Sequence, residues 1–197
     1  IIEARDGSTG KHVKRTSEYV AALISELKRH GDYDDILDDR YMHDIMMSAP
    51  LHDIGKITIP DAILCKPGRL TQSEFAEIKN HTIKGKELIE KSMSDIEDEQ
   101  FLKVAKSVAL YHHECWDGSG YPYGIEGEQI PLCARIMTIA DYFDALVAKR
   151  SYKAALPASV VFEDIEKLRG KKFDPVVADA FLRIRDQIEE IANSNAP

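Results

Sequence analysis

One segment constrains this chain more than any other. Residues 132–140 read Leu-Cys-Ala-Arg-Ile-Met-Thr-Ile-Ala, apolar on nearly every side except at Arg135. Pro131 suits the first turn of a long helix running to about Ala148. Leu132, Ile136, Ile139, Phe143 and Val147 form one stripe, and Asp141 lies opposite it, among Ala134, Met137, Ala145 and Ala148. A helix that is apolar all round belongs at the centre of a bundle. An ionised Asp141 inside it costs several kcal/mol unless it is paired or bound to a metal. Two partners are open on this reading, a salt bridge to Arg135 or another cation, and a metal ion.

The rest of the chain supplies helices to surround that centre. Val13, Val20, Leu23, Ile24 and Leu27 predict an amphipathic helix over residues 11–30, ended by Gly31. A second helix carries Met42, Ile45, Met46, Ala49 and Leu51, kinked near Pro50. Residues 57–60 read as a connection. Thr71 with Glu74 forms a capping-box signature for a further helix. Helices are also expected over 82–91, around Phe101 to Ala109, and twice more after 148. The last of these starts at Asp174-Pro175 and carries Val177, Phe181, Ile184, Ile188 and Ile191. Residues 114–130 are glycine-rich, aromatic and aperiodic, a long ordered loop of the kind that usually carries function. The fold class is all-α, a bundle of about seven to nine helices in one domain.

Composition narrows the function. The formal net charge of −8 argues against binding a nucleic-acid polymer. A small anionic ligand stays compatible, since local cations or a metal outweigh the overall field. No apolar run is long enough to span a membrane. Cys65, Cys115 and Cys133 are odd in number and widely spaced, which points to a reducing, cytoplasmic setting. The chain begins Ile-Ile-Glu without Met, and reads as a piece of a longer protein.

Several polar residues fall where helices turn inward. His52 follows Ile45 by seven and Ala49 by three, and Asp53 adjoins it. His112 follows Val108 by four, with His113 and Glu114 next to it. His81 alone is equally a structural helix-end residue. Buried carboxylates need partners. Mixed imidazole and carboxylate groups suit iron, manganese or zinc and not calcium. Six such groups exceed what one tetrahedral ion needs and fit two ions.

These residues resemble a known family. His52-Asp-Ile-Gly-Lys56 is similar to the HD motif with its trailing lysine, and residues 112–122, His-His-Glu-Cys-Trp-Asp-Gly-Ser-Gly-Tyr-Pro, to the HD-GYP signature. Gly127-x-x-Ile130-Pro131, Arg135-Ile136, residues 139–146 and Arg150-x-Tyr152-Lys153 continue the match. The resemblance implies an HD-type bundle that hydrolyses cyclic di-GMP, or a related cyclic dinucleotide, with a hydroxide bridging metal ions. It implies His52, Asp53, His81, His112, His113 and Asp141 as metal ligands, with Asp53 bridging. Lys56 would meet the scissile phosphate or the water. Gly120, Tyr121 and Pro122 would shape the pocket rim, and Arg150 and Lys153 would hold phosphates with Asp144 ordering them. Two divalent transition-metal ions are expected, iron or manganese ahead of zinc or nickel. An N-terminal receiver or sensory domain and a homodimer are the partners that the family suggests.

One departure stands out. Where some members carry a metal-binding Glu four residues before the first-helix histidine, this chain has Ser8 before His12. That favours two ions over three and the linear dinucleotide, rather than GMP, as product. His12 is left between a supporting, a third-metal and a structural role. The competing readings are a binding module with little turnover, a general HD phosphohydrolase on a mononucleotide, and a plain helical interaction bundle. Trp116 reads as loop packing.

Overall fold

The computed structural model describes residues 11–148 and 155–194. Among them there are nine helices of two turns or more and no strand, only an isolated bridge between Arg169 and Phe173. The all-α bundle expected from sequence is what forms.

Helix α1, His12–His30, buries Val20, Leu23, Ile24 and Leu27 of the stripe predicted from spacing, with Tyr19 added and Val13 only partly buried. Gly31 ends it at φ 83°, a left-handed conformation that lets its N–H reach the carbonyls of Leu27 and Lys28. Helix α2, Asp39–Ser48, is capped by the Asp38 carboxylate, which accepts from Tyr41 N. It tightens into a 3-10 turn, Ala49–Leu51, at Pro50, and this turn hands the chain to His52 and Asp53. Residues 57–60, expected as a connection, are partly helical. A second 3-10 turn covers Ile54–Thr58, too short for periodicity to reveal. A single turn follows at Asp61–Leu64.

Helix α3, Gln72–Lys79, carries both hydrogen bonds of the Thr71/Glu74 capping box. Helix α4, His81–Ser92, and helix α5, Glu99–Tyr111, pack together around Ile89, Ala105 and Ala109. Helix α6, Leu132–Val147, is the central helix, buried over Leu132 to Ala140 and again at Phe143 and Asp144. The Phe143 ring meets Tyr19, Phe162 and Phe181, tying α6 to α1, to α7 (Ala158–Leu168) and to α8 (Pro175–Arg183).

The final expected helix is two helices, α8 and α9 (Arg185–Ser194), broken at Ile184. Both pack on α1. The break lets Phe181 and Ile188 each bury completely. No helix among the described residues is long and apolar enough to cross a membrane.

Candidate metal centre

Four helix ends and turns and one mid-helix position deliver polar groups to one place. His52 and Asp53 leave the turn after α2, His81 opens α4, His112 and His113 close α5, His12 opens α1, and Asp141 projects from α6. The turn carrying His52 lies so close to α4 that a Cβ on Gly55 would sit 1.8 Å from the His81 carbonyl oxygen. Only glycine allows that approach, and the approach sets His52 and Asp53 against His81.

Four of the five histidines are held from behind. His52 Nδ1 is 2.8 Å from the Ala49 carbonyl and His81 Nδ1 is 2.7 Å from that of Ile78. His112 Nδ1 lies 3.0 Å from the Val108 carbonyl, while its own backbone carbonyl accepts from Thr138 of α6. His12 Nδ1 donates to the Asp144 carboxylate at 2.7 Å. A neutral imidazole that donates through Nδ1 leaves its lone pair on Nε2. The freed nitrogens then face one another, His12 Nε2 to His52 Nε2 at 3.4 Å and His81 Nε2 to His112 Nε2 at 3.4 Å. Two lone pairs at that distance repel unless a proton or a metal cation lies between them. The donor set therefore fits divalent metal ions, with the backbone and Asp144 fixing ring orientation.

Two groups of ligand atoms result. Asp53, His81, His112 and His113 form one, and His12, His52 and Asp53 the other. Asp53 belongs to both, through different oxygens. Its Oδ1 is 3.4 Å from His81 Nε2 and 3.7 Å from His112 Nε2, while its Oδ2 is 3.3 Å from His52 Nε2 and 2.7 Å from Lys56 Nζ. Asp141 Oδ1 stands 3.6 Å from His12 Nε2 and 3.8 Å from His52 Nε2, beside the second group.

The electrostatics agree with a cation-seeking centre. Burial alone would raise the Asp53 carboxyl, but Lys56 and His52 hold it well below the usual carboxylate range. Burial pushes His81 down to about 4 and His113 well below the ordinary imidazole value, with neighbouring imidazoles adding to the effect, so both imidazoles are neutral. His52 goes the other way. Burial opposes its charge, yet the Asp53 and Asp141 carboxylates lift it to about 9.

A sequence pattern of the HD domain family matches residues 1–177. The chain belongs to the HD domain family. It is 42% identical over 192 residues to a Vibrio cholerae protein named cyclic di-GMP phosphodiesterase, covering 98% of this chain and 39% of that one. It is 45% identical over 190 residues to the cyclic di-GMP phosphodiesterase response regulator RpfG of Xanthomonas campestris, covering 96% and 47%. The HD domain thus spans less than half the length of these relatives. Bd1817 of Bdellovibrio bacteriovorus, described as an HDG"Y"P protein, shares the fold at a TM-score of 0.62 and 17% identity, over 89% of this chain and 51% of its own.

Within this HD domain several expectations change. Arg135 pairs with Asp174 at 2.5 Å and stacks near Tyr33 and Trp116, so it is not the partner of Asp141. Asp144, expected beside phosphate-binding cations, is instead fully buried. Both its oxygens are taken, Oδ1 by Arg15 Nε at 2.5 Å and Oδ2 by Arg15 Nη2 at 2.8 Å and His12. Burial would raise its pKa, but the Arg15 and His12 hydrogen bonds keep it low. His12, left open by the sequence, aims its Nε2 into the cluster. Arg150, Lys153 and Ser8 lie outside the described residues.

The Gly-Tyr-Pro loop folds over this centre. Glu114, completely buried, accepts from the backbone N–H groups of Tyr123 and Gly124 and pulls the loop back on itself. A Cβ on Gly120 would fall 2.3 Å from Cys115 N, so the loop closes only with glycine there. Tyr121 then stacks on His113, ring centroids 4.8 Å apart, and Pro122 follows it at the rim. Sequence reasoning missed Arg15 and the loop-anchoring contacts of Glu114. Arg15 follows His12 by one helical turn, a spacing that could have drawn attention to it.

Proposed function

We propose that this HD domain is a metal-dependent phosphodiesterase that opens cyclic di-GMP to the linear dinucleotide. The observation that carries the reading is Asp53, whose two oxygens face two separate groups of ligand nitrogens. Asp53 Oδ1 with His81, His112 and His113 would hold one ion. Asp53 Oδ2 with His52, His12 and Asp141 would hold the second. Iron or manganese suits this imidazole–carboxylate set, with zinc or nickel as further fits. Bound there, such ions supply positive charge to phosphoryl oxygens and acidify water towards neutrality.

The chain's own residues do the rest. Lys56, 2.7 Å from Asp53, places an ammonium where negative charge develops on the phosphoryl group. Tyr121, fixed by stacking on His113, forms one wall for the ligand, with Gly120 and Pro122 shaping the rim. Arg150 and Lys153 would hold phosphates, as the family resemblance implies. The names of the relatives support the substrate class. The completeness of the ligand groups favours turnover over a binding module, and the long Gly-Tyr-Pro loop favours a dinucleotide over a mononucleotide. Asp53→Ala tests the reading. The variant should lose bound metal by elemental analysis together with hydrolysis of cyclic di-GMP, and hydrolysis at the wild-type rate would end the proposal.

A further inference from the structure

Lys79 is the last residue of α3, two positions before His81. Its Nζ lies 4.8 Å from the Phe75 ring centroid and 5.0 Å from the Tyr121 ring centroid. The Tyr121 ring stacks in turn on His113. The ammonium thus stands two ring-steps of about 5 Å from a histidine of the candidate metal centre, across the residue that walls the site.

Its surroundings differ from those of Lys56, which is already in contact with the Asp53 carboxylate. Among the described residues Lys79 makes two aromatic contacts and no ion pair with a carboxylate. Aromatic faces steady a cation through their quadrupoles. They leave the directional N–H donors of the ammonium for an oxygen acceptor. Phe75 is half exposed, at 47%, and Lys79 is itself partly buried.

The substrate class supplies the matching need. A cyclic dinucleotide carries two phosphodiesters, and only one can react at the metals at a time. The other still carries a charge that a chain of net charge −8 repels, unless a cation is placed locally. We propose that Lys79 contacts this second, non-reacting phosphodiester, with Phe75 and Tyr121 holding its ammonium in place. It thereby selects cyclic dinucleotides over substrates with a single phosphodiester. The inference rests on the phosphodiesterase reading above.

The test compares Lys79→Met and Lys79→Arg with wild-type protein at equal metal content. Cyclic di-GMP and bis(4-nitrophenyl) phosphate, which has one phosphodiester, serve as substrates. A phosphorothioate analogue of cyclic di-GMP gives Kd by calorimetry. Losing one charged hydrogen bond should raise KM and Kd for the dinucleotide about tenfold in Lys79→Met. The loss should leave kcat nearly as it was, spare the small diester, and be largely restored in Lys79→Arg. Unaltered KM and Kd overturn the inference. So does an equal loss on both substrates, which would mark Lys79 as loop packing. A wild-type protein that cleaves the small diester but neither cleaves nor binds the dinucleotide overturns the function reading, and this inference with it.

Discussion

Asp144 offers the sharpest perturbation of the centre without touching a group that faces the open site. Its carboxylate is fully buried and accepts two hydrogen bonds from Arg15, at 2.5 and 2.8 Å, and one from His12, at 2.7 Å. Asp144→Ala leaves the Arg15 guanidinium buried without that partner, and breaking a buried ion pair costs about 3–5 kcal/mol. For a domain of this size each kcal/mol is worth roughly 2–4 °C, so Tm of the metal-free protein should fall by roughly 10 °C. Asp144→Asn keeps an acceptor for His12 but loses the charge, and should cost roughly half as much. The His12 ring is then less firmly aimed, and manganese affinity at the His12–His52–Asp53 group should drop about 10- to 100-fold. The group built on His81, His112 and His113 should keep its affinity. Calorimetric melts and manganese titrations read both effects. The double variant Arg15→Met/Asp144→Leu separates them, since apolar replacement of a buried pair restores stability while His12 stays unsupported. Wild-type melting and two unaltered manganese affinities in Asp144→Ala would refute the reasoning.

Two further perturbations bear on the frame around the centre. Gly55→Ala would put a methyl 1.8 Å from the His81 carbonyl oxygen and 2.5 Å from Gly85 N. It should cost about 1–3 kcal/mol or more in urea denaturation and weaken metal retention at the group containing His81. Glu26, held below its ordinary value first by the Arg29 hydrogen bond and then by Arg183, contributes stability that is present above the unfolded pKa and fades as pH falls through the lower folded one. Melts of wild type and Glu26→Gln should therefore differ at pH 7 and converge below pH of about 4, and a constant gap across that range would contradict the assignment.

Much of the bundle was legible because burial leaves a period of 3.6 residues. The stripes of α1 and α6 and the capping box at Thr71 appear where spacing put them. The turn over Ile54–Thr58 was not legible, because five residues carry no period. Neither was the break at Ile184, where no glycine or proline marks it. His81 and His113 entered the ligand set through the family resemblance, while His52, Asp53, His112 and Asp141 stood out as ionisable groups on or beside inward faces, where burial demands a partner. His12 did not, because what defines it is a contact with Asp144 made across 132 positions of chain. Arg15 and Lys79 drew no reading from the sequence; the fold placed a carboxylate beside one and two rings around the other. For Asp144 the family resemblance supplied a role beside Arg150 and Lys153, and packing adds contacts with Arg15 and His12 that the sequence did not announce.

The most direct test of the central claim is product identification by mass spectrometry after incubating cyclic di-GMP with the metal-free protein and with protein reloaded with manganese or iron. The account predicts the linear dinucleotide from the reloaded protein and none from the metal-free protein. Equal hydrolysis by both, or no hydrolysis by fully loaded protein, would contradict it.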